Sequence, residues 1–109
     1  ITVVLGGSSP HVEMISCYAK DKGIRVIVDS SNMSKLMFDA DLAIGTGGST
    51  SWERCCLGLP TLLYISADNQ KKVARNLEKL KAIKIVKDLK QDLQKIQNKF
   101  RRNLWCNLR

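Results

Sequence analysis

The chain has 109 residues, of which 44% are hydrophobic and 26% are charged, a balance typical of a soluble globular domain. No apolar run approaches the roughly 18 residues that a membrane-spanning helix needs, and we expect no signal peptide, because the first apolar run begins at Ile1. The length predicts one domain with its own hydrophobic core. Because the chain starts at Ile1, already inside an apolar run and without Met, we expect a domain excised from a longer protein, and its cysteine usage favours a cytoplasmic location.

Short apolar runs alternate with segments of helical periodicity along the whole chain. Strands are expected at residues 2–5, 24–28, 42–45, 61–65 and 83–86, and helices at about 11–22, 34–38, 51–57, 70–80 and 89–104. Gly58 and Pro60 are expected to end the third helix. Strands that alternate with helices over short loops form parallel sheets covered on both faces. The sequence therefore predicts one doubly wound, Rossmann-like α/β domain, in which ligands bind on the loops that follow the strands.

The net charge of +8 is concentrated in the C-terminal third. Residues 71–109 contain 13 Lys and Arg against 3 acids, whereas residues 1–70 contain 5 against 7. The last helix has an apolar stripe of Leu89, Leu93, Ile96, Phe100 and Leu104, and its basic side chains face away from that stripe: Lys87, Lys90, Lys95, Lys99, Arg101 and Arg102. Such a face is usually solvated, but it can also bind a partner. An alternative function is therefore a non-catalytic domain whose basic helix binds nucleic acid or a protein.

The remaining reactive side chains favour structural interpretations. The four cysteines, Cys17, Cys55, Cys56 and Cys106, lack metal-ligand spacing, so we expect buried, reduced thiols and neither a metal nor a cofactor. Trp52 is expected in the core and Arg54 in solvent, since helical spacing turns Arg54 away from Glu53. His11 follows Pro10 at a helix start and is expected at the surface.

The segment IGTGGSTSWERCCLGLP, residues 44–60, places glycines and hydroxyl residues at the start of a helix. Glycines allow positive φ and close approach, and a helix start offers unpaired N–H groups and a positive dipole end. Gly47, Gly48, Ser49 and Thr50 could therefore hold a phosphate or diphosphate. The same residues also fit a structural alternative, in which the glycines are turn residues and Glu53 completes a capping box with Thr50. The spacing matches neither a Walker A motif nor G-x-G-x-x-G.

Several stretches together resemble one enzyme family. They are residues 41–45, 47–60 and 68–70, with Gly6-Gly7-Ser8 and residues 32–37 also fitting, so that the resemblance covers about residues 3–80. The chain resembles the UDP-sugar hydrolase of pseudaminic acid biosynthesis, which acts on UDP-2,4-diacetamido-2,4,6-trideoxy-altropyranose. More broadly, it is similar to the C-terminal half of GT-B glycosyltransferases of family 28, such as the peptidoglycan N-acetylglucosaminyltransferase. The run from Trp52 to Pro60 is the most specific part of the match.

The resemblance implies UDP-sugar as the ligand and a role for each matching position. Gly47, Gly48, Ser49 and Thr50 would meet the diphosphate, and Glu53 would accept hydrogen bonds from the ribose hydroxyls. Asn69 and Gln70 would face the sugar or phosphate, and Gly6, Gly7 and Ser8 would border the cleft toward the N-terminal half of the enzyme.

Two departures from the family pattern limit what this chain could do alone. Relatives often carry an acid where Ser9 stands. The catalytic His of the hydrolase belongs to a G-x-G-H motif in an N-terminal domain, and this chain has no such segment. We therefore expect a nucleotide-sugar-binding domain, residues 1–109, that has no catalytic residue of its own and pairs with an N-terminal half.

Overall fold

The computed structural model describes residues 1–102, and the side chains of residues 1–95 and 97. The chain forms two compact units, Ile1–Leu36 and a second unit that begins at Met37. Each unit has its own parallel sheet. No helix in the described part of the chain is both long enough and apolar enough to cross a membrane.

The first unit is built from a strand, a helix and a second strand. β1 (Thr2–Leu5) pairs in parallel with β2 (Arg25–Val28), and α1 (Val12–Lys20) connects them. Parallel pairing needs such a crossover, because the chain must return to the end of the sheet where β1 began. Ala19 is the buried residue of α1. The next helix, α2 (Met33–Phe38), contains the boundary between the units.

The second unit contains a three-stranded parallel sheet in the order β3–β4–β5. Its strands are β3 (Ala43–Thr46), β4 (Thr61–Tyr64) and β5 (Lys84–Val86). Its helices are α3 (Ser49–Cys56), α4 (Lys71–Lys79) and α5 (Leu89–Arg102), with a 3-10 turn at Asp68–Gln70 before α4. Thr46 lies opposite Tyr64, so the loops after β3 and β4 start side by side at one edge of the sheet.

The core of the second unit is centred on the middle strand. Leu63 of β4 is 1% exposed and packs with Ala74 and Leu77 of α4 and with Ile83. Burying a leucine side chain contributes about 1.5–3 kcal/mol to stability. This cluster holds α4 against the sheet and thereby fixes the loop between β4 and α4.

Parallel strands that alternate with helices confirm the α/β class predicted from the sequence. Each expected strand is present, with bounds that differ by one residue at most. The strands hydrogen-bond in two sheets, whereas the sequence pattern suggested one continuous sheet. The apolar pattern identifies a strand but not its neighbour, because ladders form between backbone groups that every residue carries.

α3 ends at a glycine, as predicted. Gly58 has φ 64°, and its N–H donates to the Cys55 carbonyl at 3.0 Å. The N–H of Leu59 donates to the Arg54 carbonyl at 3.0 Å, which completes a Schellman-type helix end. Pro60 follows, so the helix stops there and the chain enters β4.

Candidate functional site

The side chain of Arg54 is buried beside the loop that joins β3 to α3. It is 5% exposed, and its Nη2 donates to the Thr46 carbonyl at 2.9 Å. Its Nε donates to the Thr50 carbonyl at 3.1 Å, and Nη2 also reaches the hydroxyls of Thr50 at 3.3 Å and Ser51 at 3.4 Å. Arg54 therefore ties the last residue of β3 to the first turn of α3.

Gly45 leaves open the space that this guanidinium fills. A Cβ at position 45 would overlap Nη1 of Arg54. The expectation that Arg54 lies in solvent is therefore wrong. Burying a guanidinium is tolerated here because carbonyl and hydroxyl oxygens accept its hydrogen bonds.

Arg54 places a positive charge next to the loop. Burial lowers the pKa of its guanidinium, while Cys55 and Glu53 act in the opposite direction. Arginine stays protonated at neutral pH in proteins, so the charge is permanent. A fixed positive charge at this position favours an anionic ligand over a neutral one.

Gln70 ties the same loop to the loop that follows β4. Its Nε2 donates to the Gly47 carbonyl at 2.8 Å, and its Oε1 accepts from the N–H and the hydroxyl of Ser66, both at 3.2 Å. The Ser66 N–H can only donate, so this pattern fixes which end of the amide faces Gly47. A Cβ at position 47 would lie 3.0 Å from the Gln70 Cβ, so Gly47 makes room for this contact.

Gly48 differs from Gly45 and Gly47 because its own backbone requires glycine. Its φ is 147° and its ψ is −168°, a region that residues with a Cβ rarely adopt. No atom lies within 4 Å of the position that a Cβ would take. Gly45 at the end of β3 and Gly47 in the loop thus accommodate protein side chains, while Gly48 borders open space that a ligand can enter.

α3 begins at Ser49, with Gly48 as its N-cap and no side-chain cap hydrogen bond. The capping-box alternative is therefore wrong, because Thr50 already lies inside the first turn. Ser49, Thr50 and Glu53 are exposed, and Ser49 and Glu53 lie one turn apart on the same face of the helix. The exposed side of this helix start combines N–H donors, hydroxyls and a carboxylate acceptor.

The expectation that Trp52 lies in the core is also wrong, because its side chain is 55% exposed. The inward positions of α3 are Ser51, Arg54 and Cys55, which follow the i, i+3, i+4 spacing of one helix face. Trp52 lies outside that face. The hydrogen bonds of Arg54 allow a charged residue to face inward, whereas sequence reasoning expected Trp52 to face inward and Arg54 to face solvent.

Asn69 lies in the 3-10 turn after β4, and its side chain is exposed. The turn also contains Asp68, which forms an ion pair with Lys71. Through Gln70 this turn contacts the loop at Gly47. The structure thus brings the predicted UDP contacts at residues 47–53 and the predicted sugar contacts at residues 69–70 to one edge of the second sheet.

The glycine loop of the first unit is organised by Asp29, the residue that directly follows β2. The Gly7 N–H donates to Asp29 Oδ1 at 2.6 Å, and a Cβ at position 7 would overlap the same carboxylate. The Ser9 N–H donates to the Gly6 carbonyl at 3.0 Å, and Ser8 is exposed between them. An acid placed directly after a strand was the signal that could have identified Asp29.

The histidine lies where the sequence analysis expected it, whereas the cysteines do not. His11 is exposed at the N-cap of α1, as predicted. Cys55 is half-buried, whereas Cys17 and Cys56 are exposed. The expectation of buried thiols is therefore wrong for Cys17 and Cys56. Cys106 lies outside the described residues. No group of three His, Cys, Asp or Glu side chains within the described range is placed to hold a metal ion.

The basic helix α5 is described in part. Lys90 and Lys95 of the helix and Lys87 just before it are exposed, as expected for a solvated face, and Leu93 is half-buried. Leu89 is 38% exposed. The side chains of Ile96, Lys99, Phe100, Arg101 and Arg102 and the whole of Leu104 lie outside the described part.

Comparison with known proteins gives one informative relative. Over 73 residues, or 66% of this chain, the sequence is 33% identical to the spore coat polysaccharide biosynthesis protein SpsG of Bacillus subtilis (strain 168). The matched segment makes up 22% of that protein, so the chain corresponds to about a fifth of its length. No protein-family model and no solved structure matches. The chain is thus a distant homologue of a polysaccharide biosynthesis protein.

Proposed function

We propose that this chain is the UDP-sugar-binding part of a nucleotide-sugar hydrolase or GT-B glycosyltransferase in bacterial surface polysaccharide or nonulosonic acid biosynthesis. Similarity to a spore coat polysaccharide biosynthesis protein supports the biosynthetic role. The observation that carries the proposal is the helix start at Gly48, which borders open space while Arg54 and Gln70 hold the loop on its other sides.

The diphosphate of the ligand would bind at Gly48, Ser49 and Thr50. Their N–H groups and hydroxyls are donors, and the dipole of α3 adds to the positive charge of Arg54. Hydrogen bonds to a charged group contribute about 1.5–3 kcal/mol each. The loop is already held in shape by protein contacts, so little ordering is needed when the ligand binds.

The ribose would bind at Glu53, one helical turn after Ser49. Its exposed carboxylate has only acceptor atoms, which match the two hydroxyl donors of a ribose. Asn69 would contact the sugar that follows the diphosphate. Gly6, Gly7 and Ser8 would border the cleft toward the N-terminal half, which would supply the catalytic His. A site that lacks this half should bind UDP weakly, in the high micromolar range.

An NMR titration of the 109-residue chain with UDP tests the proposal. We expect amide shifts concentrated at residues 47–53, with UMP giving a smaller response and inorganic sulfate a response confined to residues 48–50. Amides of α1 serve as an internal reference. The absence of any perturbation at residues 47–53 in millimolar UDP would falsify the proposal.

The same titration separates this function from its rival. Binding of nucleic acid by the exposed lysines Lys87, Lys90 and Lys95 would shift residues of α5 and weaken steeply with added salt. A short oligonucleotide that perturbs α5 while UDP perturbs nothing would favour the non-catalytic alternative.

A further inference from the structure

We propose that Gln70 is a positioning residue that aims the N–H of Gly48 at a bound phosphate group. The inference rests on the proposed function, because it concerns how the same loop is prepared for its ligand. Gln70 would act on the ligand through the loop, since one N–H of its Nε2 donates to Gly47 and its Oε1 accepts twice from Ser66.

The geometry follows from a single peptide group. The carbonyl of Gly47 and the N–H of Gly48 belong to the same peptide unit, which is planar and trans, so they point in opposite directions. Gln70 Nε2 holds that carbonyl at 2.8 Å. The Gly48 N–H is therefore directed away from Gln70 for as long as this hydrogen bond lasts.

This peptide needs an external constraint because glycine flanks it on both sides. Glycine readily adopts either sign of φ, so the Gly47–Gly48 unit could rotate without steric penalty. Rotation would replace the N–H donor with a carbonyl oxygen, which repels phosphate. A hydrogen bond that removes this freedom before binding lowers the entropy lost when the ligand binds.

Gln70 suits this role because its own amide is fixed at the far end. The N–H and hydroxyl of Ser66 both donate to Oε1 at 3.2 Å, and the stem of Gln70 occupies the space beside Gly47 that a Cβ there would crowd. Gln70 belongs to the same 3-10 turn as Asn69, the proposed sugar contact. The hydrogen bonds of Gln70 thus hold the diphosphate loop and the sugar-contacting turn in a fixed position relative to each other.

The test compares Gln70→Met with Gln91→Met in the 109-residue chain. Methionine keeps the length of the stem without adding charge, but it cannot donate to the Gly47 carbonyl. Gln91 is an exposed residue of α5 far along the sequence. Its replacement is therefore the same chemical change, but it leaves the hydrogen bond between Gln70 and Gly47 intact. Each variant is titrated with UDP and with uridine, which lacks the phosphates, and its free energy of unfolding is measured in urea.

We expect Gln70→Met to weaken UDP binding about tenfold, the loss expected for one well-formed hydrogen bond, and to leave uridine binding unchanged. The amide resonance of Gly48 should move in the ligand-free Gln70→Met protein and stay in place in Gln91→Met. Gln70→Met should lower the free energy of unfolding more than Gln91→Met, because it removes the hydrogen bonds to Gly47 and Ser66, so the comparison of UDP with uridine carries the test.

Two outcomes would overturn the inference while the proposed function stands. One is wild-type affinity of Gln70→Met for UDP. The other is an equal loss of affinity for UDP and uridine, which would make Gln70 a purely structural residue. If the wild-type chain bound no UDP, the proposed function would fail and this inference with it, and the Gly48 resonance would then report only the conformation of the loop.

Discussion

The guanidinium of Arg54 fills the space beside Gly45 that a side chain at position 45 would need. Arg54 reaches this position from the second turn of α3 and donates there to the carbonyl of Thr46, the last residue of β3. The burial of the Arg54 guanidinium therefore depends on the absence of a Cβ at Gly45. It fixes the angle at which the chain leaves the strand and enters the helix.

Gly45→Ala should destabilise the second unit. The added Cβ would overlap Arg54 Nη1, and the guanidinium would have to leave the carbonyls that it satisfies. Overpacking of this kind costs about 1–3 kcal/mol, which urea unfolding can measure. Gly6→Ala is the matched control, because the space beside Gly6 is empty, and its effect should stay within about 0.5 kcal/mol. Equal effects of the two changes would contradict the proposed packing of Arg54 against Gly45.

Leu63→Ala should lower the free energy of unfolding more than Trp52→Ala, although tryptophan is the larger side chain. Leu63 is 1% exposed at the centre of the core, and truncating such a leucine costs about 2–5 kcal/mol. Trp52 is 55% exposed, so its truncation should cost less than about 1 kcal/mol. Urea unfolding of both variants decides the matter, and a larger loss for Trp52→Ala would place the indole in an apolar contact.

The secondary structure could be predicted from the sequence because each strand is a short apolar run bounded by turn residues. The end of α3 followed from Gly58 and Pro60, whose backbone preferences are local. The pairing of the five strands in two sheets could not be predicted this way. Neighbouring strands are chosen by contacts between residues distant in sequence, which a periodic pattern does not contain.

The two loops of the candidate site were predictable from the sequence, but the contacts within them were not. The glycines of residues 45–48 marked the loop, and the turn at residues 68–70 marked its neighbour. That Gly45 accommodates Arg54 and Gly47 accommodates Gln70 depends on side chains 9 and 23 residues away. Sequence reasoning put Arg54 in solvent because burial of a guanidinium depends on acceptors that only the folded loop provides.

The free energy of unfolding should fall at acidic pH, because the carboxylate of Asp92 becomes protonated there. The Lys87 N–H donates to its carboxylate at 3.0 Å and lowers the pKa of Asp92 below its ordinary value of 3.8, assisted by the Asp88 N–H and by Lys95 and Lys84. A carboxyl group with a lower pKa in the folded state stabilises the fold above its unfolded pKa, and this contribution is lost as the pH falls through the folded pKa. Asp92→Asn should therefore make stability less dependent on pH below about 4, as followed by urea unfolding at several pH values.

Salt distinguishes the causes of this pH dependence. The largest cause is the backbone hydrogen bond from Lys87, whereas Lys95 and Lys84 act through charge. At about 1 M NaCl the Debye length is roughly 3 Å, so interactions with exposed lysines are screened. We expect most of the difference between wild type and Asp92→Asn to persist in high salt. Its disappearance would show that the charges of Lys95, whose Nζ lies 3.7 Å from Asp92 Oδ1, and of Lys84 are the dominant cause.

Glu53→Gln should weaken the binding of UDP and leave the binding of inorganic phosphate unchanged. A carboxylate accepts from two ribose hydroxyls, whereas an amide places an N–H donor against one of them. Glu53 does not cap α3, because Gly48 is the N-cap and Ser49 already lies within the helix. The free energy of unfolding should therefore change by no more than about 0.5 kcal/mol in Glu53→Gln and Glu53→Ala alike.

Glu13→Gln provides the matched control for the loss of one negative charge, because Glu13 is an exposed acid in the first turn of α1. Calorimetric titration of each variant with UDP and with phosphate measures the effect. A loss that is equal for the two ligands would place Glu53 at the phosphates instead of the ribose, and wild-type affinity for UDP in Glu53→Gln would remove it from the site.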